Sequence, residues 1–143
     1  MGTISLQMID NSVSSLWWKA LVKHFIRVGD SLEIRCWKEE SAEIQQASLY
    51  GDPVEDRNEV SVKGSVSKEL LDELLSEEVS DKSIYNKMTK YFTINIENEK
   101  CFFCSAHYGT EMYLERVSDE DIIFFESVAN QYVDCFSVSI GKE

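Results

Sequence analysis

Residues 92–117, FTINIENEKCFFCSAHYGTEMYLERV, contain three short segments in which apolar and polar side chains alternate. A period of two is typical of strands that bury one face against a core. Residues 97–100 and the Tyr108-Gly109 pair have the composition of tight turns between such segments. Because strands joined by tight turns pair in antiparallel fashion, this stretch predicts a three-stranded antiparallel meander.

A first meander is predicted upstream of this stretch. Apolar and polar residues alternate over 32–37, which indicates a half-buried strand. We expect a second strand over 42–50 and a third that begins at Val60. The connection 51–58 contains the only proline of the chain and a Gly-Asp-Pro turn signal, so we expect it to be an exposed acidic loop.

The segment before the first meander has the spacing of an amphipathic helix. Apolar residues recur every three or four positions over 13–28, Asn11 or Ser12 can cap the start, and Gly29 can end the helix in a left-handed conformation. A second apolar row indicates that sheet and neighbouring helices cover this helix on two sides: Trp18, Val22 and Ile26. Exposure of that row would instead make it a self-association surface.

Two further helices complete the pattern. Ser67 precedes a leucine-rich helical face with an acidic outside, and the segment 118–121, Ser-Asp-Glu-Asp, matches a capping box. We also expect a helical turn over 84–91, an edge strand at the start of the chain and a closing strand over 135–140. With no repeat and no linker rich in Gly, Pro or Ser, the sequence predicts one α+β domain over residues 1–143. Its mainly antiparallel twisted sheet would pack against about three helices.

The net charge of the chain limits the classes of molecule that it can bind. The chain has 26 acidic and 14 basic residues and a formal net charge of −12, which would repel a phosphate backbone or an anionic membrane surface. The same field favours encounter with a basic protein, although it also serves plain solubility. There is no apolar run of about 20 residues and no basic and apolar leader at the start, so we expect a cytoplasmic protein with reduced cysteines.

The residues that could carry chemistry are few. Cys101 and Cys104 have the spacing of a zinc knuckle, with His107 nearby, but in a strand the two thiols would point to opposite faces. Neither His24 nor His107 has a nucleophile or an orienting carboxylate beside it in the sequence. We therefore predict no catalytic residue, no metal site and no cofactor. The alternative that stays open is a small-molecule-binding or enzymatic domain that uses His107 and Tyr108.

The distribution of acidic residues indicates a protein-binding surface. Acidic residues concentrate in segments expected to be loops and helix ends, where side chains can meet Lys or Arg of a partner. A solvated surface would explain the same pattern. The candidate partner-binding residues comprise two aromatic anchors and five carboxylates: Trp37, Tyr50, Glu39, Glu40, Asp52, Glu55 and Asp56.

In general profile the chain resembles the immunity proteins that bacteria pair with secreted polymorphic or contact-dependent toxins. The resemblance rests on small size, acidity, α+β pattern and lack of catalytic signatures over the whole chain, and no motif carries over residue by residue. It implies a protein that binds the catalytic face of a cognate toxin, often a basic nuclease. Acidic side chains would then block the substrate cleft by imitating phosphate charge.

Overall fold

The computed structural model describes residues 1–79 and 87–142. Eight strands within these residues form one antiparallel sheet in the order β3-β4-β2-β5-β6-β7-β1-β8. The strands are β1 (Gly2–Met8), β2 (Ser31–Trp37), β3 (Gly51–Asp56), β4 (Glu59–Ser65), β5 (Thr93–Glu97), β6 (Phe102–Ala106), β7 (Glu111–Val117) and β8 (Phe136–Lys142). The helices are α1 (Leu16–Phe25), α2 (Ser41–Ala47), α3 (Lys68–Ser76) and α4 (Asp119–Ala129).

The predicted α+β class is confirmed, and so is the meander over 92–117. Strands β5, β6 and β7 pair in chain order, with Ile96 opposite Phe103 and Phe103 opposite Leu114. The first strand differs from its prediction as an edge, because β1 lies between β7 and β8. The two edges of the sheet are β3 and β8.

The four helices bury their apolar sides against one face of the sheet. Their buried residues belong to the same core cluster as alternate residues of the strands, for example Ile34, Ile94 and Phe103. The second row of α1 is buried as predicted, since Trp18, Val22 and Ile26 are at most 3% exposed. In the described part of the chain, no helix is long and apolar enough to cross a membrane.

Helix α1 is shorter than the 13–28 segment predicted. Ile26 has extended backbone angles and ends it, and Val28 is exposed. Helices α3 and α4 begin as predicted, because the hydroxyls of Ser67 and Ser118 each accept a hydrogen bond from a backbone N–H three residues later. Of the predicted helical turn over 84–91, residues 84–86 lie outside the described residues, and residues 88–90 form a bend and not a helix.

The prediction for residues 42–58 was wrong. The expected strand over 42–50 is largely helix α2, in which Ile44 and Ala47 face the core at helical spacing. The expected loop over 51–58 is strand β3 and its two-residue turn to β4. Arg57 enables that turn with a φ of 58°, which is the left-handed conformation that such turns require.

The two adjacent tryptophans of α1 offer a test of core energetics. Trp18 Nε1 donates to Ser105 Oγ at 3.0 Å, whereas Trp17 Nε1 is buried and has no hydrogen-bond partner among the described residues. Substitution by phenylalanine removes similar volume at both positions, but only Trp18→Phe leaves the buried Ser105 hydroxyl unpaired. We expect Trp18→Phe to cost about 1 to 2 kcal/mol more than Trp17→Phe in urea unfolding. Equal losses would contradict a contribution from this hydrogen bond.

Candidate functional site

The second face of the sheet has no described helix on it and carries mainly polar side chains. Strand alternation sends Ile34 and Ile94 to the core and their neighbours to this open face. Strand pairing aligns one row of open-face residues across the sheet: Asp52, Lys63, Glu33, Asn95, Cys104, Tyr113, Ser5 and Ser139. This open face is a broad polar surface on a rigid support.

Arg35 organises the acidic end of the open face. Its Nη1 donates to Glu33 Oε2 at 3.0 Å, its Nη2 to Asp56 Oδ2 at 2.7 Å and its Nε to Glu59 Oε1 at 3.0 Å. Strands β2, β3 and β4 supply these groups. Arg35 lies in the cross-strand row between the row that contains Glu33 and the row that contains Glu59 and Asp56. One guanidinium faces three carboxylates, so this acidic cluster (Glu33, Arg35, Asp56 and Glu59) retains a surplus of negative charge.

Hydrogen bonds keep three members of the acidic cluster ionised: Glu33, Asp56 and Arg35. Burial acts to raise the pKa of Glu33, but donors from Ser61 (2.5 Å), Asn95 (2.9 Å) and Arg35 outweigh burial and lower that pKa. The hydrogen bond from Arg35 also lowers the pKa of the exposed Asp56. The same bond, with those to Glu59 and Glu33, raises the pKa of Arg35. The charges of Glu33, Asp56 and Arg35 are therefore fixed near neutral pH.

An aromatic group borders the acidic cluster at the end of β2. The ring of Trp37 lies 4.7 Å from that of Phe92, which in turn lies 5.4 Å from His107 and 5.3 Å from Tyr108. Glu40 fixes this group, since its carboxylate accepts from Trp37 N at 2.8 Å and from the Tyr108 hydroxyl at 3.1 Å. Trp37 is half-buried and presents a preorganised apolar contact beside the carboxylates.

His107 has an orienting carboxylate that the sequence prediction missed. Its Nδ1 contacts the carboxylate of Glu111, which also accepts from Gln7 Nε2 at 3.0 Å and from the Tyr113 hydroxyl at 2.9 Å. His107 and Tyr108 have φ values of 49° and 61° in the β6–β7 turn. That left-handed backbone directs the half-exposed imidazole back over the open face.

The predicted partner-binding residues divide into separate groups. Trp37, Asp52 and Asp56 share the open face, and Glu39 is exposed in the turn after Trp37. Glu55 points to the opposite side of β3, where its carboxylate lies 3.7 Å from Lys38 Nζ. Asp52, Glu55 and Asp56 thus lie in an edge strand, which corrects the predicted loop.

Tyr50 lies apart from Trp37, on the helix side of the molecule. Its hydroxyl donates to Glu73 Oε1 at 2.7 Å, and Gln46 Nε2 and the Tyr91 hydroxyl donate to the same carboxylate at 2.6 Å each. Burial, and then the hydrogen bond to Glu73, raises the pKa of Tyr50 to about 12. This Glu73 cluster joins α2 to α3, so Tyr50 is a packing residue in this structure.

The cysteines have the geometry expected of a strand. Cys101 is buried on the core side, whereas Cys104 lies on the open face next to Tyr113. Burial raises the pKa of Cys104 to about 11 and that of Cys36 to about 12, which keeps both thiols protonated near neutral pH. Residues 1–79 and 87–142 contain no group of three or more His, Cys, Asp or Glu side chains placed to hold a metal ion.

A cleft of about 820 Å³ lies at the opposite end of the sheet. It lies between the end of α1, the β5–β6 turn and the start of α4. His24 borders it, with Nε2 at 2.9 Å from Asp121 Oδ1 and its ring stacked at 3.8 Å on Phe124. The cleft has both basic and acidic walls: Arg27, Lys100 and Arg116 face Glu97, Glu99, Glu120 and Asp121.

Sequence reasoning missed most of the acidic cluster. Glu33 and Arg35 are the polar members of the alternation over 32–37, so their placement on one face could have been found. Their contacts with Glu59 and Asn95 depend on strand pairing, which sequence order alone does not supply. A comparison of the chain with protein-family models, curated proteins and solved structures finds no match.

Proposed function

We propose that this protein binds a basic protein and neutralises it, as an immunity protein does with a cognate toxin domain in the cytoplasm. The observation that carries the proposal is the combination of the acidic cluster and the Trp37–Phe92 pair on the open face of the sheet. Asp52 and Asp56 extend the negative charge to the edge strand. Glu39 adds an exposed carboxylate next to Trp37.

Preorganisation supports a binding role for this face. Arg35 and its hydrogen-bond partners hold the carboxylates in place before any partner arrives, so little side-chain entropy is lost on association. A half-buried tryptophan beside fixed charges has the composition of an interface hot spot. The surplus of negative charge selects Lys and Arg of the partner and accelerates encounter.

The arrangement fits the substrate cleft of a nuclease better than a small basic patch. Asp52 and Asp56 lie on the same side of one strand, and Glu33 and Glu59 lie on neighbouring strands. Carboxylates held on three neighbouring strands would imitate the repeated negative charge of a phosphate backbone. A toxin domain with a basic active site is therefore the proposed class of partner, and occlusion of that site is the proposed mechanism.

The test is a pull-down from a lysate of the source organism, with elution across a salt gradient. Three baits are compared: the wild-type protein, Asp52→Lys/Asp56→Lys on the open face, and the control Glu69→Lys/Asp72→Lys on the exposed side of α3. Both variants reverse two carboxylates, so their net charges are equal. We expect one basic protein to bind the wild type and the control, to be released by salt, and to be lost from the open-face variant.

The captured protein then provides the functional readout. Produced alone it should inhibit growth or cleave nucleic acid, and an equimolar amount of the wild-type protein should suppress that activity. Equal binding by the two charge-reversal variants, or capture that salt does not weaken, would contradict the proposed surface. Binding without inhibition would contradict neutralisation.

A second candidate function rests on His107. Glu111 orients its Nδ1, which leaves Nε2 directed away from the carboxylate, and this is the arrangement of a general base. The aromatic rings of Phe92 and Tyr108 beside it could hold a small planar molecule. An empty eluate from a lysate that contains the partner's transcript would favour this small-molecule or enzymatic function over neutralisation.

A further inference from the structure

The two edge strands of the sheet differ in how well their unpaired backbone N–H and C=O groups are protected from pairing with another strand. In an antiparallel ladder, successive residues direct their N–H and C=O groups to opposite neighbours. Lys38 N donates to Asn58 O, so even-numbered residues of β4 face β2 and odd-numbered residues face β3. On β3, the outward groups therefore belong to Gly51, Pro53 and Glu55.

Strand β3 is protected against pairing with another strand. Pro53, in the middle of its outward positions, has no N–H to donate. Three residues of the strand carry carboxylates: Asp52, Glu55 and Asp56. Proline and charge are the usual means by which natural sheets block an exposed edge.

Strand β8 has such protection only at its last residue, Lys142. Met8 N donates to Thr110 O and Ile9 N to Cys135 O, which fixes the alternation along β1 and β8. The odd-numbered residues of β8 face β1, so the outward backbone groups are those of Phe136, Val138, Ile140 and Lys142. Residues 136–141, FSVSIG, contain no proline and no charge, and Val138 is 38% exposed.

We propose that β8 pairs in antiparallel fashion with β8 of a second copy of this chain, so that two sheets join across a twofold axis. Such an interface presents the same strand from both partners and closes after two copies. The outward N–H and C=O groups of both strands would be satisfied by main-chain hydrogen bonds. The opposite edge, blocked by Pro53, would not extend the assembly further.

Charge and pattern favour a second copy as the occupant. With a net charge of −12, two copies repel each other over most of their surface, but residues 136–141 bring no like charges together. A twofold axis at Val138 places Phe136 opposite Ile140 of the second copy and serine opposite serine. It also brings Lys142 to the end of the other strand where Asp134 is exposed, and neither side chain has an ion pair in the described residues.

The test measures mass and amide protection in the protein over residues 1–143. Sedimentation equilibrium over a concentration series should show the 16.5 kDa monomer converting to twice that mass. Hydrogen exchange should show the amides of Val138 and Ile140 becoming protected as the dimer forms. The amides of Ser137 and Ser139, which face β1, should be protected at every concentration.

Two substitutions at one position separate this interface from other modes of association. Val138→Pro removes an outward N–H without removing a hydrogen bond to β1, and Val138→Lys places two like charges at the twofold axis. Both variants should be monomeric with the fold retained. The matched control is Val54→Lys, at the exposed valine of the protected edge, which should dimerise as the wild type does. A monomer at all concentrations, a dimer with the Val138 amide unprotected, or dimers of both Val138 variants would overturn the proposal.

Discussion

Replacement of Glu73 by alanine is expected to lower the free energy of unfolding by about 3 to 5 kcal/mol, because it removes the shared acceptor of three hydrogen bonds. The hydroxyls of Tyr50 and Tyr91 and the amide of Gln46 all donate to this carboxylate, and Tyr91 is fully buried. Without it, the buried Tyr91 hydroxyl would lose this acceptor, and the half-buried Tyr50 and Gln46 would lose theirs. Urea unfolding followed by circular dichroism measures the loss.

Glu69→Ala is the matched control on the same helix. Glu69 is exposed and has no side-chain hydrogen bond or ion pair among the described residues, so its loss should change stability by less than about 0.5 kcal/mol. Tyr91→Phe, which removes one donor and leaves the carboxylate with the others, should fall between the two. A small loss for Glu73→Ala would show that solvent reaches the three donors and replaces the carboxylate.

Arg35→Ala is expected to destabilise the protein by about 2 kcal/mol near neutral pH, because it leaves three carboxylates without their shared cation. The effect should depend on pH. In the wild type, Arg35 and other donors lower the pKa of Glu33 and of Asp56, so their stabilising contribution is present above the ordinary carboxyl pKa values. It disappears as the pH falls through the lowered values.

The difference in stability between wild type and Arg35→Ala should therefore shrink as the pH is lowered below about 4. Urea unfolding at neutral pH and at the lowest pH where the wild type is folded measures this difference. Arg116→Ala is the control, since the exposed Arg116 contacts the exposed Glu97 and the Asn98 carbonyl at the surface, so its loss should destabilise the protein far less than Arg35→Ala does. If the difference in stability between the wild type and Arg35→Ala does not depend on pH, Arg35 stabilises the fold by packing instead of by charge.

The alternation of apolar and polar residues predicted strands correctly where one face of the strand is buried and the other is exposed. The meander over 92–117 and strand β2 both follow it. The pattern failed over 51–58 because strand β3 is exposed on both faces and has no alternation of apolar and polar residues. Main-chain hydrogen bonds to β4 hold β3 in place, and these bonds do not depend on which side chains the strand carries.

The candidate site was only partly predictable for a related reason. Trp37, Asp52 and Asp56 share the open face, but Tyr50 faces the helices and Glu55 lies on the far side of its strand. A one-residue difference in a strand reverses the side chain, so proximity in sequence is a poor guide to a common surface. Most hydrogen bonds in the clusters around Arg35 and Glu73 join residues at least 18 positions apart, which only the tertiary fold brings together.

The position of β1 has a consequence for how the chain is made. Both of its neighbours in the sheet come from residues that follow it by about a hundred positions, as the bond between Gln7 and Glu111 shows. While the ribosome is still adding those residues, β1 has nothing to pair with and its apolar side stays in water. Strands β2 to β6 can pair earlier in synthesis, so this end of the sheet is completed last.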